Sequence, residues 1–136
     1  MRIAVFSTKS YDKDYLDRFN ADANELVYFE APLNINTSNL TQGYKGVCVF
    51  VNDKLDEATI NAIARNGIKL IVLRCAGFNN VNLEAAKRNN IAVLRVPAYS
   101  PHAVAEHAVA LMLTLARKTH KAYNRVRENN FSLERL

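Results

Sequence analysis

Several residue types that build common sites are scarce in this sequence. Its 136 residues contain two cysteines, four glycines, three prolines and no tryptophan. Two cysteines are too few for a disulfide framework or for a zinc site with four cysteine ligands. No apolar run approaches the roughly 18 residues that span a bilayer, and the apolar run 3–6 is too short for the core of a signal peptide. We therefore expect a cytoplasmic protein with no membrane partner.

The glycines also lack the spacing of nucleotide-binding motifs. They are Gly43, Gly46, Gly67 and Gly77, and they match neither G-x-G-x-x-G nor the Walker pattern. No self-contained site for a dinucleotide or a nucleoside triphosphate is therefore expected within this sequence.

The histidines do not predict a metal or catalytic site. His102 and His107 are five residues apart, which places their side chains poorly on one helix face. His120 has no cluster of cysteines or carboxylates beside it, and G-x-S-x-G is absent. Cys75 would be reactive in an electropositive setting, but a buried cysteine at a strand end is the commoner case.

The net charge of +5 is concentrated near the end of the sequence. Residues 117–136 hold six basic and two acidic side chains, whereas residues 1–116 hold twelve and eleven. Basic residues at a helix C-terminus complement the helix dipole. This interpretation is favoured over binding to nucleic acid, which also uses basic residues, because aromatic residues such as Tyr123 are sparse among them. Nucleic acid is therefore not an expected partner.

Short apolar runs alternate with segments of helical spacing along the chain. The runs predict strands, and spacings of three and four between apolar residues predict helices. Predicted strands cover residues 2–7, 25–30, 46–51, 68–74 and 91–96, and predicted helices cover 9–20, 56–66, 83–89 and 101 to about 127. Asn82 and Ser100 are good helix N-caps, Pro101 suits a first turn, and Gly67 suits a helix end. The alternation predicts an α/β domain with a five-stranded parallel sheet and helices on both faces.

The last predicted helix differs from the others. Residues 108–116 are apolar nearly all round, whereas a surface helix of a small domain is apolar along one stripe. Two interpretations remain open: the helix lies between this domain and another body, or it forms a dimer.

Ligands of open parallel sheets bind at the carboxyl ends of the strands. The loops there contain Ser7 to Lys9, Asn52 and Asp53, residues 75–80, and residues 97–101. Gly77 lets the backbone approach a ligand, so the amides of Ala76, Gly77 and Phe78 suit an anion, and Tyr99 adds a hydroxyl. These features suit a small carboxylate. Alternatively, Gly77 only forms a turn and Tyr99 only packs.

Two of these loops resemble the D-isomer-specific 2-hydroxyacid dehydrogenases, and among them the bacterial fermentative D-lactate dehydrogenases. The segments are Arg-Cys-Ala-Gly-Phe-Asn-Asn-Val-Asn at 74–82 and Val-Pro-Ala-Tyr-Ser-Pro-His-Ala-Val-Ala-Glu-His-Ala at 96–108. The segments 4–12 and 130–134 fit the same subgroup, so the resemblance spans nearly the whole sequence. Asn82 replaces the family's usual Asp, and Phe78 replaces a frequent Val.

The resemblance implies a fold and a set of substrate contacts. Residues 1–100 correspond to a flavodoxin-like substrate domain, and residues 101–136 to a long interdomain or dimerisation helix. Ala76 and Gly77 would hold the substrate carboxylate with backbone amides, Tyr99 would contact the substrate, and Phe50 would line its pocket. The implied activity is NAD-dependent interconversion of pyruvate and D-lactate by a homo-oligomer.

The same resemblance locates the chemistry elsewhere. The family's catalytic Arg, Glu and His and its NAD-binding Rossmann domain correspond to positions beyond residue 136. None of them matches His102, His107 or His120. We therefore expect no catalytic, cofactor-binding or metal-binding residue in this chain, and no dehydrogenase activity from it alone.

A non-catalytic alternative is a free-standing flavodoxin-like module that binds a partner. A receiver domain of this kind needs clustered acids after its first strand to hold magnesium. Here that loop is Ser7-Thr8-Lys9, and only Asp53 follows the third strand. The sequence therefore disfavours a receiver.

Overall fold

The apolar runs of the first 97 residues become the strands of one sheet in the computed structural model. The structure describes residues 1–134 and divides the chain into two units, Met1–Pro97 and Ala98–Leu136. In the first unit the strands are β1 Arg2–Val5, β2 Glu25–Tyr28, β3 Gly46–Val49, β4 Leu70–Leu73 and β5 Ala92–Arg95, and the helices are α1 Ser10–Asn20, α2 Glu57–Arg65 and α3 Leu83–Arg88. A 3-10 turn spans Ser38–Thr41.

The sheet confirms the predicted α/β architecture. All strand pairs are parallel, and the strand order is β2-β1-β3-β4-β5, the flavodoxin-like order. Each strand is up to two residues shorter at an end than predicted. The reason is that apolar residues such as Phe6, Ile68 and Ile91 are buried in the flanking turns rather than in the strands.

The core lies between one face of the sheet and the helices α2 and α3. Strand β3 is buried at all four of its residues, as its unbroken apolar run predicted. Helix α2 contributes Ile60 and Ile63, as predicted, and α3 contributes Ala85 and Ala86. Alternate residues of the strands also belong to this core, among them Ala4, Val47, Val49, Ile71 and Leu73.

The opposite face of the sheet is covered less completely. Helix α1 forms where the spacing of its apolar residues predicted it, but none of its residues is buried. Leu16 and Phe19 line an apolar cavity of about 250 Å³ together with Val5 and Cys48 of the sheet. On β5, 57% of Leu94 is exposed. Part of the apolar surface of this unit therefore faces solvent.

Local signals set the ends of α2 and α3. Asp56 accepts a hydrogen bond from the Thr59 amide at 3.0 Å, and Asn82 accepts one from the Ala85 amide at 2.9 Å, which confirms the predicted cap at Asn82. Gly67 follows α2 with a φ of +94°, a left-handed conformation that favours glycine.

The second unit contains two helices where the sequence predicted one. They are α4 Pro101–Arg117 and α5 Thr119–Arg127. The prediction was wrong because Lys118 adopts a left-handed backbone with a φ of 51°, which ends the hydrogen-bond series of α4. Pro101 lies in the first turn as expected, but the Ser100 side chain makes no capping hydrogen bond.

Helix α4 exposes apolar side chains on every side. Val104, Met112 and Leu115 are each more than 60% exposed within the described residues. Within residues 1–134, no helix combines the length and apolar character needed to cross a bilayer.

We predict that Asp56→Ala lowers the free energy of unfolding by about 1 kcal/mol, because α2 loses its N-cap. Asp56→Asn keeps an acceptor and should cost less. The backbone hydrogen bond from Thr59 lowers the pKa of Asp56. The contribution of the Asp56 cap to the free energy of unfolding is therefore complete above the aspartate pKa of the unfolded chain, about 3.9. It is lost as the pH falls through the lower pKa of Asp56 in the folded chain.

Urea unfolding of the unaltered chain, Asp56→Ala and Asp56→Asn at pH 7 and in acid would measure these differences in stability. Asp14→Ala is the control, since Asp14 is an exposed residue in α1. Equal unfolding midpoints for Asp56→Ala and the unaltered chain at pH 7 would contradict the assigned cap.

Candidate functional site

The loops that follow β1, β2 and β3 meet at the buried carboxylate of Asp53. This residue is 1% exposed. Its Oδ1 accepts hydrogen bonds from Ser7 Oγ at 2.8 Å and from the Leu33 amide at 2.6 Å, and its Oδ2 accepts one from the Phe50 amide at 2.5 Å. The sequence marked Asp53 as a residue of this edge without predicting this role.

Asn80 connects the loop after β4 to the same cluster. Its Nδ2 donates to the carbonyl oxygens of Phe50 and Asp53, each at 3.0 Å. In return, the Leu55 amide donates to the Asn80 carbonyl at 2.9 Å. The predicted substrate residue Phe50 is therefore held beside the loop that contains Ala76 and Gly77.

A partly buried cation, Arg74, lies directly before that loop. Arg74 donates through Nη1 to the Phe6 carbonyl at 3.0 Å and through Nη2 to the Ser7 carbonyl at 3.2 Å. Its Nε is 3.6 Å from Asp12 Oδ1, and its guanidinium carbon is 5.4 Å from the centre of the Phe50 ring. The positive charge therefore favours an anion at this edge of the sheet.

The loop from Cys75 to Phe78 presents unpaired backbone donors. In the described part of the chain, the amides of Ala76, Gly77 and Phe78 donate to no acceptor. Carbonyl oxygens in the same loop are held: the Val96 amide donates to the Cys75 carbonyl and Cys75 Sγ donates to the Gly77 carbonyl, both at 3.2 Å. These are the three amides that the sequence predicted as an anion cradle.

Gly77 differs from the other glycines in what surrounds it. Its φ lies outside the left-handed region, and a Cβ built on it would meet no atom within 4 Å. Gly43 and Gly67 have positive φ, and a Cβ on Gly46 would lie 3.6 Å from Ile3. Neither backbone conformation nor packing within the described residues therefore accounts for glycine at position 77. Open space beside unpaired amides is what a backbone-bound ligand needs.

Both cysteines are buried thiols. Burial raises the pKa of Cys48 and of Cys75, in each case against a smaller opposing effect of Arg74. Cys75 is therefore protonated at neutral pH, which it must be to donate to Gly77. This environment favours the structural interpretation of Cys75 over a reactive one.

Tyr99, the remaining predicted substrate residue, belongs to the second unit. It precedes α4, and 73% of it is exposed. The structure thus brings Phe50 close to the loop of Ala76 and Gly77 within the first unit, whereas the predicted contact of Tyr99 with a substrate stays a prediction.

A cleft of about 370 Å³ with a mixed polar and apolar lining opens at the same edge, beside loops that the sequence had placed there without predicting a cleft. Its lining includes Lys9, Tyr11, Phe50 and Asn52. Phe50 therefore has one side toward this cleft and its backbone toward Asn80. The sequence signal available for the cleft was the polar loop at residues 7–9, which follows a buried strand.

Metal-binding side chains do not converge in the described part of the chain. No three His, Cys, Asp or Glu residues within it are placed to hold one ion. His102 and His107 both lie in α4 and are exposed.

Comparisons with known proteins match the whole chain. Residues 3–132 match the family model described as D-isomer specific 2-hydroxyacid dehydrogenase, catalytic domain. The chain is 52% identical to a 2-hydroxyacid dehydrogenase homolog of Haemophilus influenzae, and the match covers 100% of this chain and 41% of that protein. It is 50% identical to the D-lactate dehydrogenase of Escherichia coli, and that match covers 100% of this chain and 42% of that protein. It therefore spans about two fifths of the length of the curated relatives that it matches.

Solved structures give the same result. The apo-structure of the Escherichia coli D-lactate dehydrogenase has a TM-score of 0.87 over 100% of this chain and 43% of that one, at 50% identity. The Aquifex aeolicus D-lactate dehydrogenase complexed with NAD and lactic acid has a TM-score of 0.79 at 30% identity, covering 97% of this chain and 39% of that one.

We predict that Gly77→Ala leaves the free energy of unfolding unchanged or raises it by up to about 1 kcal/mol, because alanine restricts the unfolded chain and meets no atom in the folded one. Gly67→Ala, by contrast, should lower it by about 1 kcal/mol or more, because its φ is positive. Thermal or urea unfolding would compare the two. A Gly77→Ala chain destabilised as much as Gly67→Ala would mean that Gly77 serves the fold.

Proposed function

Because this chain belongs to the D-isomer specific 2-hydroxyacid dehydrogenase family, we propose that it is the N-terminal, substrate-binding part of an NAD-dependent D-lactate dehydrogenase. The proposed enzyme interconverts pyruvate and D-lactate in the cytoplasm. Its similarity to the Escherichia coli D-lactate dehydrogenase over the whole chain supports this choice of substrates.

The observation that carries the proposal is the open space beside Gly77. A carboxylate of a small 2-oxo acid is an acceptor of the right charge for the unpaired amides of Ala76 and Gly77. The partly buried Arg74 guanidinium, one residue before Cys75, adds a favourable charge. We infer that the carboxylate binds to these amides.

The other proposed contacts orient the rest of the substrate. Phe50, fixed through its amide by Asp53 and through its carbonyl by Asn80, packs beside the methyl group of pyruvate. The family resemblance also supports a contact of Tyr99 with the substrate. Holding the carboxylate at a fixed place restricts the positions of the neighbouring carbonyl carbon, which is how such a platform lowers a reaction barrier.

The residues described here do not fit NAD. A dinucleotide loop follows a strand, opens a helix and contains several glycines. Gly43 and Gly67 lie in turns that precede β3 and β4, and Gly77 stands alone between β4 and α3. When bound, NAD supplies or accepts a hydride. We place the groups that bind it, and the catalytic Arg, Glu and His, outside these 136 residues.

The proposal predicts that pyruvate perturbs the backbone amides of Ala76 and Gly77 in the 136-residue chain. Titration with sodium pyruvate, followed by ¹H–¹⁵N correlation NMR, should give saturable shifts at these two amides. Sodium chloride at the same ionic strength should not. In Gly77→Ala the added methyl group occupies the site, so the dissociation constant should rise at least about tenfold, or about 1.4 kcal/mol.

Gly67→Ala serves as the matched control, since it lies in the turn after α2 and should bind pyruvate unchanged. Absence of any pyruvate response at Ala76 and Gly77 would overturn the proposed site. The same protein should not oxidise NADH in the presence of pyruvate. Measurable turnover would show that these 136 residues contain the catalytic groups.

We further propose that the enzyme is a homo-oligomer formed through α4. The exposed apolar residues of this helix, including Val109 and Leu113, support an interface. We predict concentration-dependent self-association in sedimentation velocity, weakened by Leu113→Glu and not by Lys121→Glu on α5. A monomer at several hundred micromolar would contradict this interface.

A further inference from the structure

Arg95 connects the ends of β4 and β5 through one nitrogen atom. Its Nη1 is 3.1 Å from the Ala76 carbonyl oxygen, 3.3 Å from that of Val96 and 3.0 Å from that of Pro97. Its guanidinium carbon also lies 5.3 Å from the centre of the Phe78 ring. An exposed arginine thus donates to the backbone of the very loop that carries the unpaired amides.

The contact with Ala76 determines the direction of a neighbouring N–H. The Ala76 carbonyl and the Gly77 N–H belong to one peptide group, and in a trans peptide they point in opposite directions. No peptide bond within the described residues is cis. Holding the carbonyl toward Arg95 therefore directs the Gly77 N–H away from Arg95.

The two adjacent peptide groups are held in the same manner. The Val96 amide holds the Cys75 carbonyl, which directs the Ala76 N–H, and Cys75 Sγ holds the Gly77 carbonyl, which directs the Phe78 N–H. A substitution at Val96 would leave its backbone donor in place, and a substitution at Cys75 would change a buried side chain. Arg95 is therefore the anchor that a substitution can remove without disturbing the core.

We propose that Arg95 is a positioning residue that fixes the Gly77 amide for the substrate carboxylate. This inference rests on the proposed function, in which that amide binds a 2-oxo acid. Arg95 acts through the Ala76 carbonyl, so its contribution depends on donated hydrogen bonds and not on its charge alone.

The test uses ¹⁵N relaxation and pyruvate titration of the 136-residue chain at pH 6, where amide exchange is slow. Arg95→Met keeps an apolar stem near Phe78 and removes the donors. Arg95→Lys restores a donor group of similar length. Arg88→Met is the matched control, because Arg88 is an exposed arginine on α3 that pairs with Glu57.

We expect the Gly77 order parameter to be near 0.85 in the unaltered chain, as in rigid backbone, and to fall below about 0.6 in Arg95→Met. The dissociation constant for pyruvate should rise about tenfold. Arg95→Lys should recover most of the order and of the affinity, and Arg88→Met should change neither.

The outcomes separate the two ideas. An unchanged Gly77 order parameter in Arg95→Met would overturn the positioning role, even if pyruvate bound more weakly through loss of charge. A loosened Gly77 in a protein whose unaltered form ignores pyruvate would support the positioning role and contradict the proposed function.

Discussion

The buried side chain of Asp53 organises the carboxyl edge of the sheet, because it requires hydrogen-bond donors from the surrounding loops. A carboxyl group with almost no exposure is tolerated only where hydrogen-bond partners replace water, and Asp53 accepts three hydrogen bonds from loops after three different strands. Fixing these loops fixes the backbone around Phe50, and Asn80 extends the same order to the loop after β4. The loop that contains Ala76 and Gly77 is thereby tied at its Asn80 end to the loop after β3.

The elements that the sequence predicted are those whose signals are local. The apolar run of β3, the cap at Asn82 and the glycine after α2 each act within a few residues, and each is present. The break at Lys118 has no proline or glycine to mark it, so the helical pattern of residues 101–127 ran through it.

In the candidate site, too, local sequence signals allowed some predictions, and contacts between distant residues did not. Ala76 and Gly77 were predicted from their loop and from a family resemblance, and Phe50 was predicted from that resemblance alone. The roles of Asp53 and Arg95 were not, because their partners lie up to 46 residues away and a single charged residue at a strand end has no distinguishing pattern. Such roles become visible only when the fold has brought the loops together.

The free amides beside Gly77 have a consequence for how this protein can vary in evolution. Every residue except proline supplies the same backbone N–H, so substitutions at positions 76 and 78 preserve the donors and change only what surrounds them. If these amides bind the proposed carboxylate, most mutations of the loop leave that recognition intact. In the proposed site, changes of the side chains at Phe50 and Phe78 would then alter the surroundings of the substrate without removing the backbone donors.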